Sequence, residues 1–261
     1  MNIIACIKQV PDTNEVKIDP EKGTLIREGV PSIINPEDKH ALEEAVRLKE
    51  KEGGTVTVVT MGPPQAKVAL NEALAMGADE AVLVSDRAFA GSDTLATSYV
   101  LSKAIEKLGE YDVIFCGRQA IDGDTAQVGP QIADKLSIPQ VSYVTKFDLD
   151  GKEVEAKRKL EDGYSIVETE LPVLLTVLDG LNEPRYAKMG GIVDAYRNQE
   201  VKVLTADDLD VDESKLGLDG SPTKVYDTFV PTYEAKGEIL EGTSEEKVAS
   251  LIGKLKGEKL V

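Results

Sequence analysis

Val113-Ile114-Phe115-Cys116-Gly117-Arg118-Gln119-Ala120-Ile121-Asp122-Gly123-Asp124-Thr125-Ala126-Gln127-Val128-Gly129-Pro130 runs directly into Gln131-Ile132-Ala133-Asp134-Lys135-Leu136. Four apolar residues, a loop of small and polar ones, then helix-forming sequence describe a buried strand that opens into a loop and feeds a helix. In an open parallel sheet, ligands bind at the mouth beyond the carboxyl ends of such strands. A small-residue loop there presents free backbone N–H groups at a helix start, which suits a phosphate. The same residues also make an ordinary strand-to-helix connection in which glycine supplies the turn, and on pattern alone both readings stand. Asp122 and Asp124 read as turn formers rather than acid/base groups or metal ligands. If Thr125 caps the helix, Pro130 removes an internal hydrogen bond; otherwise a tighter turn precedes a start near Gly129. Either way the N–H groups around Thr125 to Val128 are free. Arg118 either adds charge to a phosphate site or pairs with Asp122.

The strand–loop–helix pattern recurs. Residues 3–8 form a first apolar run of the kind buried on both faces. Val16-Lys17-Ile18 and Thr24-Leu25-Ile26 flank the turn Asp19-Pro20-Glu21-Lys22-Gly23 and predict a β-hairpin excursion. Asn35-Pro36-Glu37-Asp38 predicts a helix start, with Asn as cap, Pro first and acids in the first turn. Ala41, Ala45 and Leu48 follow at helical spacing until Gly53-Gly54. Residues 55–61 and 81–84 are strands, and 65–75 (Val68, Leu70 and Leu74 on one face) and 93–108 (Leu95, Tyr99, Leu101, Ile105) are helices. Four strand–helix units at this spacing predict an α/β fold with a doubly wound, mostly parallel, Rossmann-like sheet. Beyond Pro139, runs at 141–148, 152–157, 165–169 and 173–177 predict added antiparallel strands. Residues 181–189 read as a polar loop and 201–204 as one more strand. The predicted division is an α/β domain over 1–205 and a C-terminal arm over 206–261, whose helix at 244–255 carries Val248, Leu251, Ile252 and Leu255.

The totals exclude several functions. A formal charge of −17 over 261 residues repels the phosphates of nucleic acids and anionic membranes. With 5% aromatics and no Trp, nothing suggests base-stacking platforms. No apolar run approaches the ~20 residues of a spanning helix, and the first residues read as a strand rather than a signal peptide, so a cytoplasmic protein is expected. Cys6 and Cys116 read as buried, reduced thiols. With His40 as the single His, a nucleophilic triad or His-built metal site has nothing to work with. GxGxxG, GxxxxGK[ST], HExxH and GxSxG are all missing. What remains are three mouths with similar material: Cys6-Ile7-Lys8, Thr60-Met61-Gly62-Pro63 and the loop after Cys116. With Asn35 to Asp38 they would surround an adenosine lying across the strand ends. Lys8 is either a phosphate partner or a solvated strand-end lysine, and Met61 either packs on adenine or belongs to the core.

The chain resembles the small (beta) subunit of an electron transfer flavoprotein over nearly its whole length. The resemblance rests on Lys8-Gln9-Val10-Pro11-Asp12, Asn35-Pro36, Glu43-Glu44-Ala45-Val46-Arg47-Leu48-Lys49, Ala73-Leu74-Ala75-Met76-Gly77-Ala78-Asp79, Gly117 to Asp122, and Leu181-Asn182-Glu183-Pro184-Arg185-Tyr186-Ala187. It implies an adenine-nucleotide-binding sheet, a heterodimer with an FAD-bearing alpha subunit, and an arm wrapping that partner. Simple members hold AMP in the beta subunit. Electron-bifurcating members hold a second FAD there, which takes hydride from NADH and divides the electrons between the alpha-subunit FAD, leading to a flavin-containing dehydrogenase, and ferredoxin or flavodoxin. Gly123 and Thr125-Ala126 resemble the bifurcating type, so FAD is expected and AMP is the alternative; an ATP-using module on the same sheet is a more distant one. By position, the implied cofactor contacts are Cys6, Asn35, Pro36, Glu37, Asp38, Met61, Gly117, Arg118, Gln119, Asp122, Gly123, Asp124, Thr125, Ala126, Gln127 and Val128. Asn182, Glu183, Pro184, Arg185, Tyr186 and Met189 resemble the family's dehydrogenase-recognition loop. Two departures stand out: Val193 to Gln199 replaces the Lys-rich run of mitochondrial members, and Ser165 occupies a position where an acid or amide is usual.

Overall fold

The computed structural model describes residues 1–12, 31–226 and 237–260; the hairpin expected over 16–26 lies outside them. The chain divides into two units, Met1–Tyr226 and Asp227–Val261. In the first, β1 (Asn2–Cys6) precedes a short antiparallel pair, β2 (Gln9–Pro11) and β3 (Ser32–Ile34). Next come α1 (Pro36–Glu52), β4 (Thr55–Met61), α2 (Lys67–Met76), β5 (Glu80–Val84), α3 (Thr94–Leu108), β6 (Val113–Gly117) and α4 (Val128–Leu136). Then follow β7 (Gln140–Asp150), β8 (Glu153–Leu160), β9 (Gly163–Glu170), β10 (Val173–Val177), α5 (Met189–Arg197) and β11 (Val201–Leu204). Nine strands form one sheet in the order β11-β5-β4-β1-β6-β10-β7-β8-β9. Neighbours from β11 to β7 are parallel, and β8 and β9 are added antiparallel.

After β1 the chain winds outward through β4 and β5, then returns to lay β6 on the other side of β1. That reversal is the topological switch point, where the loops leaving two adjacent strands part to opposite faces and open a crevice. Side chains alternate across the sheet. Ile3, Ala5, Val113 and Phe115 pack with α1, α2 and α5, while Ile4, Cys6, Ile114 and Cys116 pack with α3 and α4.

Several expectations need correction. Residues 173–177 are not antiparallel: β10 lies parallel between β6 and β7, in register from Val173–Val113 to Val177–Gly117. Its five residues are all buried, and a short continuous apolar run is the mark of a strand covered on both faces. Val68 and Leu95 are exposed; α2 instead presents Ala69, Leu70, Ala73 and Leu74 to the core. Helix α4 starts at Val128, so Pro130 occupies a first-turn position that has no intrahelical partner to lose. Gly129 packs so closely on β10 that an added Cβ would lie 2.7 Å from Thr176 Cγ2. Helix α5, which begins at Met189, the last residue of the stretch read as a loop, was hidden by Gly190-Gly191, poor helix formers. Gly191 lies against α2, where a Cβ would come within 2.6 Å of the Ala75 carbonyl.

Residues 206–226 belong to the first unit. Leu209 and Leu216 are buried in the core on the α3 side. The Asp212 N–H donates to Tyr99 Oη at 2.8 Å, and Thr223 donates through its N–H and hydroxyl to Asp93 Oδ2 at 3.0 and 2.7 Å. In the second unit α6 (Ser244–Gly257) begins with a capping box: the Thr243 N–H donates to Glu246 Oε2 and the Glu246 N–H to Thr243 Oγ1. Val248, Leu251 and Ile252 are exposed on it. Among the described residues no helix is long and apolar enough to cross a membrane. A chain ending at Tyr226 should keep the cooperative unfolding transition of the α/β unit. One ending at Ala206 also loses the two buried leucines and should be less stable by roughly 3–6 kcal/mol, readable by urea denaturation.

Candidate functional site at the mouth between β1 and β6

The crevice is built by one carboxylate. Asp38, in the first turn of α1, is buried and accepts the Lys8 N–H on Oδ2 at 2.7 Å and the Gly117 N–H on Oδ1 at 3.1 Å. It therefore ties the carboxyl ends of β1 and β6 across the switch point. A side chain at Gly117 would collide with Asp38 Oδ1 and with the α1 backbone, so glycine is required by this close approach. Burial pushes the Asp38 pKa up to about 7 from an ordinary 3.8, partly offset by hydrogen bonds from Asn35, Lys8 and Gly117.

The neighbouring residues hold the loop rather than the helix end. Asn35 stands at the N-cap position of α1 but makes no side-chain cap. Its amide instead donates to the Gln119 carbonyl at 2.8 Å and accepts the Ile121 N–H at 3.0 Å. Glu37 accepts the Gln119 N–H at 3.0 Å and pairs with Arg118 Nη2 at 2.9 Å. Burial raises the Glu37 pKa against these two partners. Arg118 is thus paired with Glu37, not with Asp122, and its Nε is buried without an acceptor. Asp122 accepts both of its contacts from Lys8 Nζ, at 2.6 and 2.8 Å. Gln119 Nε2 donates to Asp124 Oδ1. Pro36 is exposed, and Met61 is half-buried against the core on the α3 side. Cys6 and Cys116 are register partners and both buried; hydrogen bonding to Cys6, then burial, pushes the Cys116 thiol up, so Cys116 is not a poised nucleophile.

The far end of the loop has the opposite character. Ile121 to Thr125 are exposed, and an added Cβ at Gly123 would meet nothing within 4 Å. Asp124 and Ala126 adopt left-handed φ values of 54° and 53°, each costing a non-glycine residue about 1 kcal/mol or more. The Thr94 hydroxyl donates to Gln127 Oε1 at 3.2 Å, holding the helix entrance against α3. The five consecutive N–H groups of Thr125 to Gly129 find no acceptor among the described residues. Free N–H groups in a strained loop at a helix start are what a phosphate accepts from. The residues present therefore fit a phosphate-bearing cofactor.

A second set of predicted residues sits on the flank of α1. Asn182 is buried, donating to the His40 carbonyl and Glu44 Oε2 at 3.0 and 2.8 Å. Arg185 forks onto Glu43 and Glu50, with contacts of 2.6 to 3.1 Å, and these bonds raise its pKa. Both are anchors that face inward. Tyr186 and Met189 are the outward residues, 96% and 77% exposed, while Glu183 is exposed and Pro184 half-buried. Ile192, Val193 and Tyr196 of α5 extend the same exposed apolar run; the glycines that hid α5 also hid these residues.

The family pattern described as "Electron transfer flavoprotein domain" matches residues 22–209. The chain belongs to the electron transfer flavoprotein family. It is 62% identical to an electron transfer flavoprotein subunit beta of Thermoanaerobacterium thermosaccharolyticum, with all of both chains covered. It is 52% identical, again over all of both chains, to a caffeyl-CoA reductase-Etf complex subunit, CarD, of Acetobacterium woodii. Identity to an acryloyl-CoA reductase electron transfer subunit gamma of Anaerotignum propionicum is 49%, covering 98% of each chain. Electron transfer is accordingly the kind of function this chain serves. The blocks that carry the family resemblance touch one another. Asn35 reaches Gln119 and Ile121, Glu43 and Glu44 hold Arg185 and Asn182, and Lys49 donates to the Gly77 carbonyl and to Asp79.

The raised Asp38 pKa has a signed consequence. Folding takes up a proton between about pH 4 and 7, so this group's contribution to stability falls as pH rises through that window and levels off above it. The Asp38 carboxyl carbon should titrate near pH 7 by NMR, together with the Lys8 and Gly117 amide signals; a midpoint near 4 contradicts the buried clamp.

Proposed function

We propose that this chain is the nucleotide-holding beta subunit of an electron-bifurcating flavoprotein, with FAD at the mouth between β1 and β6 and NADH as donor. Five N–H groups from Thr125 to Gly129 that find no acceptor among the described residues carry the reading: they would bind the pyrophosphate, and the open space at Gly123 would leave room for a ligand longer than AMP. Asn35, Glu37 and Asp38 orient the loop from behind, and Met61 would flank the adenine. Bound there, a flavin supplies hydride acceptance and one-electron transfer, while the protein supplies position and electrostatics. Electrons would leave toward the FAD of an alpha subunit, and from it to a flavin-containing dehydrogenase, and toward ferredoxin or flavodoxin. The printed names of two relatives, caffeyl-CoA reductase-Etf complex subunit and acryloyl-CoA reductase electron transfer subunit, favour a reductase of CoA thioesters as the dehydrogenase, docking at Tyr186 and Met189. A cytoplasmic location follows from those partners. A carrier holding structural AMP at the same N–H groups is the second reading, since a single phosphate also satisfies them.

Denaturing the purified heterodimer and identifying the released nucleotides separates the two. Two FAD per heterodimer is the expected result, and one FAD with one AMP supports the carrier. If NADH leaves every flavin of the complex oxidised, the donor role is wrong. The arm is assigned to the alpha subunit: the chain ending at Tyr226 should lose heterodimer formation in co-purification, and unchanged assembly would remove that assignment.

A further inference from the structure

Among the described residues the mouth is short of available positive charge. Its carboxylates are Glu37, Asp38, Asp122 and Asp124, with Asp179 close enough to raise the Glu37 pKa. Its cations are Lys8 and Arg118, and each is already held by a carboxylate. The two pairs differ in kind. Arg118 is bound to a Glu37 side chain only 14% exposed, and that carboxylate also accepts the Gln119 N–H, so this pair is part of the loop's fixed support. Lys8 and Asp122 are 47% and 29% exposed, and an exposed ion pair is weakly held.

The Lys8 backbone is immobilised, because Asp38 accepts its N–H; its side chain is a flexible stem rooted at the carboxyl end of β1. Asp122 sits on the same loop as the free N–H groups of Thr125 to Gly129. We infer that Lys8 is the phosphate-binding side chain of this mouth, and that Asp122 holds it in reserve until a phosphate exchanges for the carboxylate. This rests on the reading of the mouth as a nucleotide site, and adds which side chain meets the phosphate and which one competes. The exchange is favourable in kind: a phosphate held by several N–H groups offers charge-assisted acceptors to the ammonium, whereas Asp122, once released, is rehydrated at an exposed position.

The test is calorimetric titration of the full-length chain with AMP, FAD and phosphate-free adenosine. Lys8→Gln should weaken AMP and FAD about tenfold, the scale of one charge-assisted hydrogen bond, and leave adenosine unchanged. Asp122→Asn should tighten AMP about threefold, the scale of an exposed pair. The double variant should match Lys8→Gln. If Lys8→Gln weakens adenosine as much as AMP, Lys8 is structural and the inference fails. If Asp122→Asn tightens AMP equally in the Lys8→Gln background, Asp122 acts by general repulsion and its proposed role fails. If Asp122→Asn weakens AMP or leaves it unchanged, no competition exists. A wild-type chain that binds none of the three ligands overturns the nucleotide reading itself, whereas normal wild-type binding with unaltered variants overturns only the role of Lys8.

Discussion

A buried carboxylate accepting two backbone N–H groups from different strands is the constraint from which the rest of the mouth follows. Burying a carboxylate is costly unless its lone pairs are used, and Asp38 uses them on Lys8 and Gly117. That choice fixes the first turn of α1 against the ends of β1 and β6. It excludes any side chain at Gly117 and aims the following residues outward over the crevice. Asn35 and Glu37, adjacent in the chain, then catch the loop at Gln119 and Ile121. The loop after β6 is braced as far as Ile121, and its N–H groups from Thr125 to Gly129, where a ligand would need them, find no acceptor among the described residues.

Helix α1 serves two regions at once. It is 17 residues long, so about 25 Å from end to end. Its first turn supports the mouth between β1 and β6; His40, Glu43, Glu44 and Glu50 farther along hold the segment containing Asn182 and Arg185. The Arg185–Glu43 pair is partly buried, with side-chain exposures of 29% and 5%, so it resists screening better than a surface pair. The exposed Tyr186 and Met189 are consequently carried on a support continuous with the mouth. If the mouth holds the cofactor and Tyr186 and Met189 dock the partner, as proposed, this helix would be a rigid spine between them and not only a packing solution.

How much of this was legible varied with the kind of physics involved. Parallel strand–helix units could be read because burial on both faces leaves apolar runs between helical repeats, as at 55–61 and 113–117. The path of β10 could have been read the same way, since Val173-Leu174-Leu175-Thr176-Val177 lacks the alternation of a half-exposed strand. Helix α5 was not legible: two glycines at its start outweigh the apolar spacing that follows. At the site, the positions could be named but not their roles. Asn35 has the identity of a helix cap, and only the fold brings it within reach of Gln119. The same holds for Arg118, which the sequence left between a phosphate-site charge and a pair with Asp122, and which tertiary structure pairs with Glu37.

The missing glycine fingerprint also has a physical explanation. A chain of charge −17, with a mouth lined by Glu37, Asp38, Asp122 and Asp124, shows among its described residues no basic patch with which to attract a phosphate. In the proposed site the attraction would come chiefly from oriented backbone dipoles, which cost no reorganisation when the ligand arrives, with Lys8 joining once Asp122 gives it up. Such a site depends on backbone conformation, here with Asp124 and Ala126 held at positive φ, more than on side-chain identity. The residues from Gly123 to Val128 matter mainly for what they leave out, which is bulk that would cover the N–H groups; the one charge among them is Asp124. Asp124 is drawn aside by Gln119 and Asp122 by Lys8, so both carboxylates nearest the N–H groups are already engaged. Under the proposed function the loop would bind by subtraction, and a motif search that looks for side-chain donors finds nothing in it to recognise.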